Sequence, residues 1–546
     1  MKSKDKSGLQ LPPPSLGKKA LLSVSFFEGA AVMVIELMGA KIVAPFYGTS
    51  LYVWASVLGV TLMALAGGYY SGGWISQKYT DNRPLFLALG IGAAFTILAP
   101  QIAPSIMMAT SGLGVRMGSL VSVFLYLFVP ITCMGMVSPL ITQQINRGHE
   151  DAGLSAGTVY AVSTVGGILA TYAAGFYLIP ELGIRATAIL TGGLLGVMAV
   201  AGMVWSKRTF MAVATIAVCL LFIITTSFKK GLDPKVKVQY QSSGILGEWT
   251  VVDQVAAVDP NGQPLYTRQL LLNGVDQTFT EVGNEPVSMW FYPHKLSALA
   301  GIKPEGSRAL LLGMGGGSIA HGLIQLGFRL DIVELDQRVP QIAQKWFGFD
   351  PATAQVHIDD ARHFIKNASE KYDVVVLDLV NGEVQPSHVF TKEGLLELKQ
   401  ILQDDALVIV NFQGRFDMEK PELSIGPRSV YKTFEAVGYK MFVSKRDAED
   451  EKNLSADLLM YGTPGLLQFD SSFHKELRYN AIFPFEKFTA DNYQPVTGFK
   501  VDDAQVLTDD KPNLELLNAP TILDWRKNKM VFTMDGLLKK GLSIFH

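Results

Sequence analysis

Two parts of unlike composition predict a multipass α-helical membrane domain followed by an α/β domain. Apolar residues are concentrated in long segments before residue 228, and the chain of 546 residues is 49% hydrophobic with a mean hydropathy of +0.25. Beyond that point, a glycine-rich turn at 313–317 separates short apolar runs that end in acidic residues. The first pattern is typical of membrane proteins, and the second is typical of open parallel sheets that bind nucleotides.

Seven apolar segments make up the predicted membrane domain, residues 20–228, which follows a basic tail at 1–19. Each segment is close to the roughly 20 residues that a helix needs to cross the hydrocarbon core. Paired glycines at 67–68, 72–73 and 166–167 favour close helix packing. The segments lie near residues 20–44, 53–76, 85–109, 118–142, 156–180, 184–205 and 209–228.

The first apolar segment contains two acids, Glu28 and Glu36, and has Lys41 near its end. A charged group inside the bilayer costs at least ~2–3 kcal/mol unless it is paired or faces water. Two interpretations of the acids stay open: a cation-binding or transport site, or a hydrogen bond that locks helices together. For Lys41 we favour a side chain that extends to the membrane surface.

Alternating polar and apolar residues replace the long apolar segments after residue 237. Two such runs around the turn at 260–262 predict a β-hairpin, and a helix is expected over 286–301. Beyond Gln413 the sequence shows no regular pattern. The predicted boundaries are a linker at 229–237, a small β-domain at 238–285 and a nucleoside-binding α/β domain with a C-terminal extension at 286–546.

Leu310–Asp336 is the central stretch of the α/β domain. Its first three residues suit a buried strand, glycines follow at once, and a second apolar run ends in Glu334. Glycines permit a tight turn and close approach of a ligand, and the acid can accept hydrogen bonds from both hydroxyls of a ribose. Asp336 points to the same side of the strand and is the competing candidate. The glycines are Gly313, Gly315, Gly316 and Gly317.

Two later runs, Val356–Asp360 and Tyr372–Asp378, also read as strands that end in a carboxylate. Open α/β sheets bind their ligands outside the carboxyl ends of the strands. We therefore expect Glu334, Asp360 and Asp378 to lie around one cleft.

An ordered set of motifs in this half resembles the spermidine synthase (polyamine aminopropyltransferase) family. The motifs are LLLNGVDQT, GMGGGS, VELD, IDDARHF, YDVVVLDLVNGE and HVFT, and they cover roughly residues 240–414. The first half is similar to the N-terminal half of fused membrane spermidine-synthase-like proteins, through ELMGAKIVAPFYGTSLYVWAS and GGYYSGGWIS. The resemblance implies a Rossmann-like fold of the spermidine synthase and methyltransferase type, and a nucleoside ligand related to S-adenosylmethionine.

The resemblance also implies roles for individual residues. Asp378 is in the place of the catalytic aspartate, where a carboxylate takes the proton of an amine before its nitrogen attacks the carbon next to a sulfonium. Asp360 and Ala361 are in the place of the adenine contact, with Asp359 as an alternative. The other implied nucleoside contacts are Gln277, the four glycines, Ser318 and Glu334, and the implied amine contacts are Tyr292, His294, Asn381 and Glu383.

Two positions depart from the family pattern. Ser318 replaces an aspartate that would pair with the ammonium of decarboxylated S-adenosylmethionine and repel a carboxylate, so unmodified S-adenosylmethionine becomes admissible. Asn381 replaces the second acid of a DSSD motif, which removes one negative group from the expected amine site. Glu383 and Glu248 are candidate replacements. His388 lies where the family chain closes over the pocket, and a structural histidine is an equal interpretation.

The predicted function is transfer of an aminopropyl or related alkyl group to an amine, with S-adenosylmethionine or its decarboxylated form as a substrate. Two alternatives stay open: an S-adenosylmethionine-dependent methyltransferase, and a polyamine or nucleoside transporter or sensor with a non-catalytic binding domain. A net charge of −2 gives no indication of nucleic-acid binding. The two cysteines, Cys133 and Cys219, lie in apolar segments, so no metal site is expected.

The side of the membrane occupied by the α/β domain is not fixed by the sequence. Basic residues indicate an N-terminus inside, as a retained cytoplasmic tail, but seven crossings would then place the C-terminal half outside. A re-entrant segment, an outside N-terminus, or a soluble half that faces away from the cytoplasm would each resolve this. We expect a multipass cell-membrane protein with a cytoplasmic α/β domain, because the nucleoside is made in the cytoplasm. The expected partners are a polyamine and the lipid bilayer, and a homodimer is left open.

Overall fold

The protein consists of two compact units in the computed structural model. Unit 1 is Met1–Asp233 with Gln241–Glu248 and Val531–His546, and unit 2 is Pro234–Tyr240 with Trp249–Met530. The structure describes residues 16–48, 50–79, 81–146, 152–227, 233–244, 246–380, 385–414, 421–444, 457–463, 478–483, 488, 490–493, 495, 498–525, 536 and 538–541. Most of the predicted N-terminal tail lies outside these residues.

The described residues of unit 1 between 18 and 227 are mainly helical. Three of the described connections contain a glycine with positive φ: Gly48 at +82°, Gly114 at +75° and Gly183 at +78°. A segment of π-helix, Ala174–Leu182, precedes Gly183. The helices are α1 (Lys18–Tyr47), α2 (Leu51–Lys78), α3 (Arg83–Thr110), α4 (Gly114–Ile145), α5 (Ala152–Ala173), α6 (Gly183–Trp205) and α7 (Thr209–Ser227).

Four continuous helical stretches of the described residues are long and apolar enough to cross a membrane by length and composition. The third comprises α3 and α4, and the fourth comprises α5 and α6, so each contains more than one span's length. Thr209–Thr225 is a shorter apolar helix. The four stretches are Lys18–Tyr47, Leu51–Lys78, Arg83–Ile145 and Ala152–Trp205.

Close packing at the paired glycines is confirmed, but only one glycine of each pair in α2 takes part. A Cβ atom on Gly68 would lie 2.4 Å from the Thr132 carbonyl oxygen of α4, and one on Gly72 would lie 2.7 Å from that of Met136. Their neighbours Gly67 and Gly73 have nothing within 4 Å. The packed glycines are four residues apart and share one helix face, which allows α2 and α4 to approach closely.

Glu28 lies inside the helical unit with 2% of its surface exposed. Its Oε2 atom accepts hydrogen bonds from Ser163 Oγ of α5 at 3.1 Å and from Ser138 Oγ of α4 at 3.5 Å. A buried carboxyl group thus joins three helices through hydroxyl contacts, the arrangement expected for a hydrogen bond that locks helices together.

The small β-domain is a four-stranded sheet of order β1-β2-β3-β4. Strands β2 and β3 pair in antiparallel fashion around 259–263, which confirms the predicted hairpin. A second antiparallel pair, β3 with β4, turns at Asn273 and Gly274, both with positive φ. The strands are β1 (Val236–Gly244), β2 (Gly247–Val258), β3 (Pro264–Leu272) and β4 (Val275–Glu281).

A seven-stranded sheet of order β10-β11-β9-β8-β5-β6-β7 forms the Rossmann-like domain. The five strands from β9 to β7 are parallel, and β11 runs antiparallel to both neighbours. The strands predicted on either side of the glycine turn are confirmed as β5 and β6, and the two later runs are confirmed as β7 and β8. The strands are β5 (Arg308–Leu312), β6 (Arg329–Glu334), β7 (Gln355–Ile358), β8 (Tyr372–Leu377), β9 (Leu402–Gln413), β10 (Lys440–Ser444) and β11 (Asp457–Thr463).

Helices cover the two faces of this sheet. Alternate residues of β5 enter different cores, with Leu311 in one and Leu310 and Leu312 in the other, as expected for a strand buried on both sides. The helix predicted over 286–301 is confirmed only from Phe291 onward. The helices are α8 (Phe291–Ala300), α9 (Ser318–Gln325), α10 (Val339–Phe347), α11 (Ala361–Asn367), α12 (Lys392–Gln400), α13 (Ile425–Ala436), α14 (Arg478–Ile482) and α15 (Leu514–Trp525).

The region beyond Gln413, which shows no regular sequence pattern, contains α13 and the last two strands of the sheet. Both strands are short, five residues in β10 and seven in β11, and they pair with each other and with β9. These strands are therefore defined by hydrogen-bond partners that are distant in sequence. The local periodicity of the sequence does not reveal them.

Candidate functional site

The glycine turn between β5 and α9 is built on conformations that other residues avoid. Gly313, Gly315 and Gly317 have φ of +90°, +53° and +90°. A Cβ atom on Gly313 would lie 2.2 Å from the carbonyl oxygen of Asp378. The turn therefore lies directly against the carboxyl end of β8.

Backbone hydrogen bonds join the carboxyl ends of four neighbouring strands. Asp378 N donates to Leu312 O at 2.9 Å, and Gly313 N donates to Val333 O at 2.9 Å. Asp359 N donates to Glu334 O at 3.0 Å. The three acidic strand ends predicted from the sequence therefore lie along one edge of the sheet, around the glycine turn.

Glu334 contacts the glycine turn directly. Its Oε2 atom accepts a hydrogen bond from Met314 N at 3.1 Å, and its Oε1 atom accepts one from Asp336 N at 2.9 Å. Burial raises the pKa of Glu334 to about 7, although these backbone hydrogen bonds oppose the rise. A half-buried carboxyl group with this pKa changes its charge near neutral pH.

Asp336, the competing candidate for ribose binding, has its carboxylate occupied. Trp249 Nε1 donates to its Oδ2 at 2.8 Å, and Arg338 Nη2 donates to the same atom at 2.6 Å. Burial alone would raise the pKa of Asp336, but the hydrogen bonds and charge of Arg338 outweigh it and hold the pKa below its usual range. Asp336 thus has a structural ion pair, whereas Glu334 faces the turn.

Asp360 is the N-cap of α11. Its side chain accepts hydrogen bonds from the backbone N–H groups of Arg362 and His363, both at 3.0 Å. Its Oδ2 atom lies 3.0 Å from His388 Nε2. Burial would raise the pKa of Asp360, but these hydrogen bonds and the His388 charge hold it below its usual range. Ala361, the next residue, is buried.

Asp378 follows β8 and is held by the neighbouring strand β9. Asn411 Nδ2 donates to Asp378 Oδ1 at 2.8 Å, and Asn411 is itself buried. This hydrogen bond fixes the orientation of the carboxyl group at the edge of the sheet. The sequence motifs do not reveal Asn411, which is 33 residues away along the chain.

Comparison with known proteins identifies the domain that carries this edge. Residues 291–443 match the family described as spermine/spermidine synthase domain. The C-terminal part of this chain contains a spermine/spermidine synthase domain. The match includes β5 to β9, most of β10, and the acids Glu334, Asp360 and Asp378.

Curated proteins of two named activities are similar to part of this chain. The chain is 40% identical over 129 residues to a polyamine aminopropyltransferase of Vibrio vulnificus, covering 22% of this chain and 43% of that protein. It is 34% identical over 125 residues to an N-terminal histidine N-methyltransferase of Emericella nidulans, covering 22% of each. Both matches thus span less than half of the relative's length. Polyamine aminopropyltransferase 2 of Aquifex aeolicus is 23% identical over 408 residues, 71% of this chain and 78% of that protein.

Solved structures include similar chains. A probable spermidine synthase from Corynebacterium glutamicum aligns over 51% of this chain and 97% of its own, with 18% identity and a TM-score of 0.37. Spermidine synthase from Thermotoga maritima aligns over 47% of this chain and 82% of its own, with 17% identity and a TM-score of 0.33.

Within the spermine/spermidine synthase domain, Ser318 begins α9 directly after the glycine turn. Its Oγ atom is buried, and no hydrogen-bond partner lies within reach among the described residues. Asn381, the other departure from the family pattern, and Glu383, a candidate replacement for the missing acid, lie outside the described residues. Glu248, in unit 1, accepts hydrogen bonds from Gln241 Nε2 at 2.8 Å and Ser243 Oγ at 3.1 Å.

The β-domain contributes a residue to the glycine turn that sequence reasoning missed. Gly316 N donates to Thr278 Oγ1 at 2.7 Å, and a Cβ atom on Gly316 would lie 2.6 Å from Thr278 Cγ2. Thr278 directly follows Gln277, whose Nε2 donates to Asp276 O at 3.1 Å. The position of Thr278 in the VDQT motif was the sequence signal that could have identified it.

The candidate amine contacts differ in how their side chains are placed. His294 is buried, its Nε2 atom lies 2.8 Å from Ser288 O, and its Nδ1 atom is hydrogen-bonded to the Tyr479 hydroxyl. Both ring nitrogens are thus occupied by protein atoms, as in a structural histidine. Tyr292 is half-buried, with its ring 5.9 Å from that of Trp290. Among the described residues, no group of three or more His, Cys, Asp or Glu side chains could hold a metal ion.

Proposed function

We propose that this protein is a membrane-bound polyamine aminopropyltransferase-like enzyme. In this proposal it binds an S-adenosylmethionine-type nucleoside and transfers an aminopropyl or related alkyl group to an amine. The observation that carries the proposal is the position of Glu334 and Asp378 on either side of one glycine turn, within a spermine/spermidine synthase domain. The Vibrio vulnificus and Aquifex aeolicus relatives, which are named polyamine aminopropyltransferases, support the reaction class.

The nucleoside would bind along the carboxyl edge of the sheet. The ionised Glu334 would accept hydrogen bonds from the ribose hydroxyls, and the glycine turn would let the ligand approach the protein backbone closely. Asp360 and Ala361 would contact the adenine, with Gln277 beside the nucleoside. The sulfonium would then lie beside the glycine turn, within reach of the Asp378 carboxyl group.

The amine reacts by displacement at the carbon next to the sulfonium. Its nitrogen forms the new C–N bond as the C–S bond breaks, and the electron pair of that bond stays on sulfur, which leaves as a neutral thioether. Asp378 takes the amine proton, and Asn411 holds the Asp378 carboxyl group in place. Because the leaving group needs no proton, positioning of the two reactants is the main contribution of the protein. Tyr292 is a candidate contact for the amine.

A methyltransferase is the second candidate, and Ser318 favours it. The neutral hydroxyl of Ser318, which has no hydrogen-bond partner in the described part of the chain, lies at the start of α9, where the family has an aspartate. A ligand with a carboxylate therefore meets no repulsion from this position. The Emericella nidulans relative is named a histidine N-methyltransferase.

Analysis of the nucleoside product separates the two reactions. The purified full chain in detergent, given an amine and either S-adenosylmethionine or its decarboxylated form, should produce methylthioadenosine if it transfers aminopropyl groups. S-adenosylhomocysteine would instead establish methyl transfer. If the chain binds the nucleoside but forms neither product, the enzymatic proposal is wrong.

A transporter or sensor is the third candidate, and Glu28 favours it. This buried carboxyl group lies among hydroxyls from two other helices, a polar site within helices that are apolar enough to cross a membrane. Uptake of radiolabelled polyamine into proteoliposomes tests this function. Uptake by the wild type that Glu28→Gln abolishes would support it, and equal uptake by both would leave Glu28 with the hydrogen-bond role alone.

We also propose that the catalytic domain is cytoplasmic. A cysteine in the exposed turn between β2 and β3, introduced as Asp259→Cys, provides the test. Of the native cysteines, Cys133 is buried and Cys219 is half-buried in helices. A membrane-impermeant maleimide should label the new cysteine in broken cells but not in intact cells, and labelling of intact cells would contradict the proposal.

A further inference from the structure

A C-terminal segment that lies beyond the matched spermine/spermidine synthase domain is fastened to it by many polar contacts. This segment, residues 498–513, is called the strap below. Lys432 Nζ of α13 donates to Val501 O at 2.9 Å and to Ala504 O at 2.8 Å. Leu507 N donates to Thr433 Oγ1 at 3.0 Å, and the Leu507 side chain is fully buried. The strap is therefore an integral part of the domain.

Near its end the strap contacts Arg362, the second residue of α11. Arg362 Nη1 and Nη2 donate to Asp509 Oδ1 and Oδ2 at 2.6 and 2.7 Å, a bidentate pair. Thr391 Oγ1 also donates to Asp509 Oδ1, at 2.7 Å. The pKa of Asp509 falls to about 2, chiefly because Arg362 hydrogen-bonds its ionised form. Asp509 is thus an anion that joins α11 to the start of α12.

Arg362 connects this anion to the nucleoside edge. Its Nη1 atom donates to His388 O at 2.9 Å, which holds the short turn at 387–391. The His388 ring in turn lies 3.0 Å from Asp360 Oδ2, and Arg362 N donates to Asp360 Oδ1 at 3.0 Å. The backbone of Arg362 therefore supports Asp360 directly, and its side chain supports Asp360 through His388.

Glu397 is the other acidic partner of Arg362. Its Oε2 and Oε1 atoms accept from Arg362 Nε and Nη2 at 2.7 and 3.0 Å. Arg362, with only 9% of its surface exposed, would therefore stay paired if Asp509 were neutral. The strap would also stay attached, because Lys392 N donates to Leu507 O at 2.7 Å and Asp509 N donates to Glu393 Oε2 at 2.9 Å. Glu397 contacts Nε and Nη2, whereas Nη1, which donates to His388 O, pairs with Asp509. Loss of the Asp509 charge would therefore chiefly loosen the 387–391 turn.

We propose that Asp509 is a positioning residue for the nucleoside site: through Arg362 and His388 it holds the 387–391 turn and Asp360 in the geometry that receives an adenine nucleoside. This inference rests on the proposed function, in which Asp360 contacts adenine. It assigns a role at the site to a residue 147 positions away from Arg362 along the chain.

A second ion pair of the strap provides a matched control. Arg428 of α13 forms a bidentate pair with Asp503, in which Nη2 donates to Asp503 Oδ2 at 2.9 Å and Nη1 donates to Oδ1. Arg428 Nη1 also donates to Lys500 O at 2.9 Å, so this contact too is made to a residue of the strap. Asp503→Asn therefore weakens attachment of the strap, while the contacts of His388 and Asp360 described above stay intact.

The test compares Asp509→Asn, Asp509→Glu and Asp503→Asn in the full chain in detergent. Isothermal titration with methylthioadenosine should show about tenfold weaker binding for Asp509→Asn, a change within about twofold for Asp503→Asn, and partial recovery for Asp509→Glu. In turnover assays, Asp509→Asn should raise the KM for the nucleoside and leave kcat close to the wild-type value. Hydrogen exchange should be faster in the 387–391 turn of Asp509→Asn only.

Each alternative result has a distinct meaning. Equal loss of affinity in Asp509→Asn and Asp503→Asn would mean that the Asp509–Arg362 pair only stabilises the fold, as the Asp503–Arg428 pair does. That result would overturn the positioning role. Unchanged affinity in Asp509→Asn would overturn it as well. If the wild type binds neither methylthioadenosine nor S-adenosylmethionine, the proposed function itself fails, whereas the hydrogen-exchange comparison still reports whether Asp509 holds the turn.

Discussion

Glu334 Oε2 accepts a hydrogen bond from Met314 N at 3.1 Å, so the acid at the end of β6 lies against the glycine turn that follows β5. Asp336, two residues further on, is instead paired with Arg338. The same strand end thus carries one acid in a structural ion pair and one beside the candidate ligand site.

Replacement of Glu334 by Gln should weaken nucleoside binding by about tenfold or more, because a carboxylate accepts hydrogen bonds from two ribose hydroxyls and an amide has a single acceptor oxygen. Asp336→Asn is the contrasting variant. It should lower the thermal stability through loss of the Arg338 pair, with a smaller effect on affinity. Calorimetric titration and thermal unfolding of both variants provide the measurement, and an unaltered dissociation constant for Glu334→Gln would exclude the ribose role.

The raised pKa of Glu334 predicts a pH-dependent cost in stability. The folded pKa is about 7 and the ordinary value is 4.5, so folding favours the protonated form. The wild type should therefore lose stability relative to Glu334→Gln as the pH rises from about 4.5 to about 7, by roughly 3 kcal/mol at most. Thermal unfolding of both proteins at pH 5 and pH 8 measures the change. A difference in Tm that is the same at both pH values would contradict this prediction.

Asp378→Asn should lower turnover by about 10²–10⁴-fold, the usual contribution of a general base, while nucleoside affinity changes little. The amide keeps the shape of the side chain but cannot take the amine proton. Single-turnover rates and equilibrium titrations on the same preparation distinguish the two effects. Turnover at the wild-type rate would remove Asp378 from the mechanism.

Gly313→Ala should destabilise the domain more than Gly306→Ala does. Both glycines have positive φ, +90° and +81°, so alanine costs about 1–2 kcal/mol of backbone energy at either position. At Gly313 the new Cβ atom would also lie 2.2 Å from Asp378 O, whereas nothing lies within 4 Å at Gly306. Denaturation of the two variants measures the difference. Equal loss of stability would mean that β8 moves away from the turn at no cost.

The parts of this site that the sequence predicts are those built from neighbours along the chain. The glycine turn, Glu334 and the acids after β7 and β8 follow directly from apolar runs and the residues that end them. Thr278 and Asn411 are different, because their partners are 38 and 33 residues away. Hydrogen bonds of this kind depend on how strands and loops meet in the fold, which periodicity does not report.

The same reasoning explains what was missed in the last third of the chain. Strands β10 and β11 are short and gain their hydrogen bonds from each other and from β9. Asp509 lies in this region too, and nothing in the sequence near it indicates that it pairs with Arg362. Only the fold brings the two residues together.

Ser318→Asp should shift nucleoside preference toward decarboxylated S-adenosylmethionine. The hydroxyl at this position is neutral and has no hydrogen-bond partner among the described residues, whereas a carboxylate would attract the aminopropyl ammonium and repel the carboxylate of S-adenosylmethionine. The ratio of the two dissociation constants should change by about tenfold or more, since a few kcal/mol of charge interaction is at stake. Ser318→Asn is the matched control, because it adds similar volume without charge. An equal change of the ratio in both variants would attribute the effect to size, and Ser318 would then play no part in charge selection.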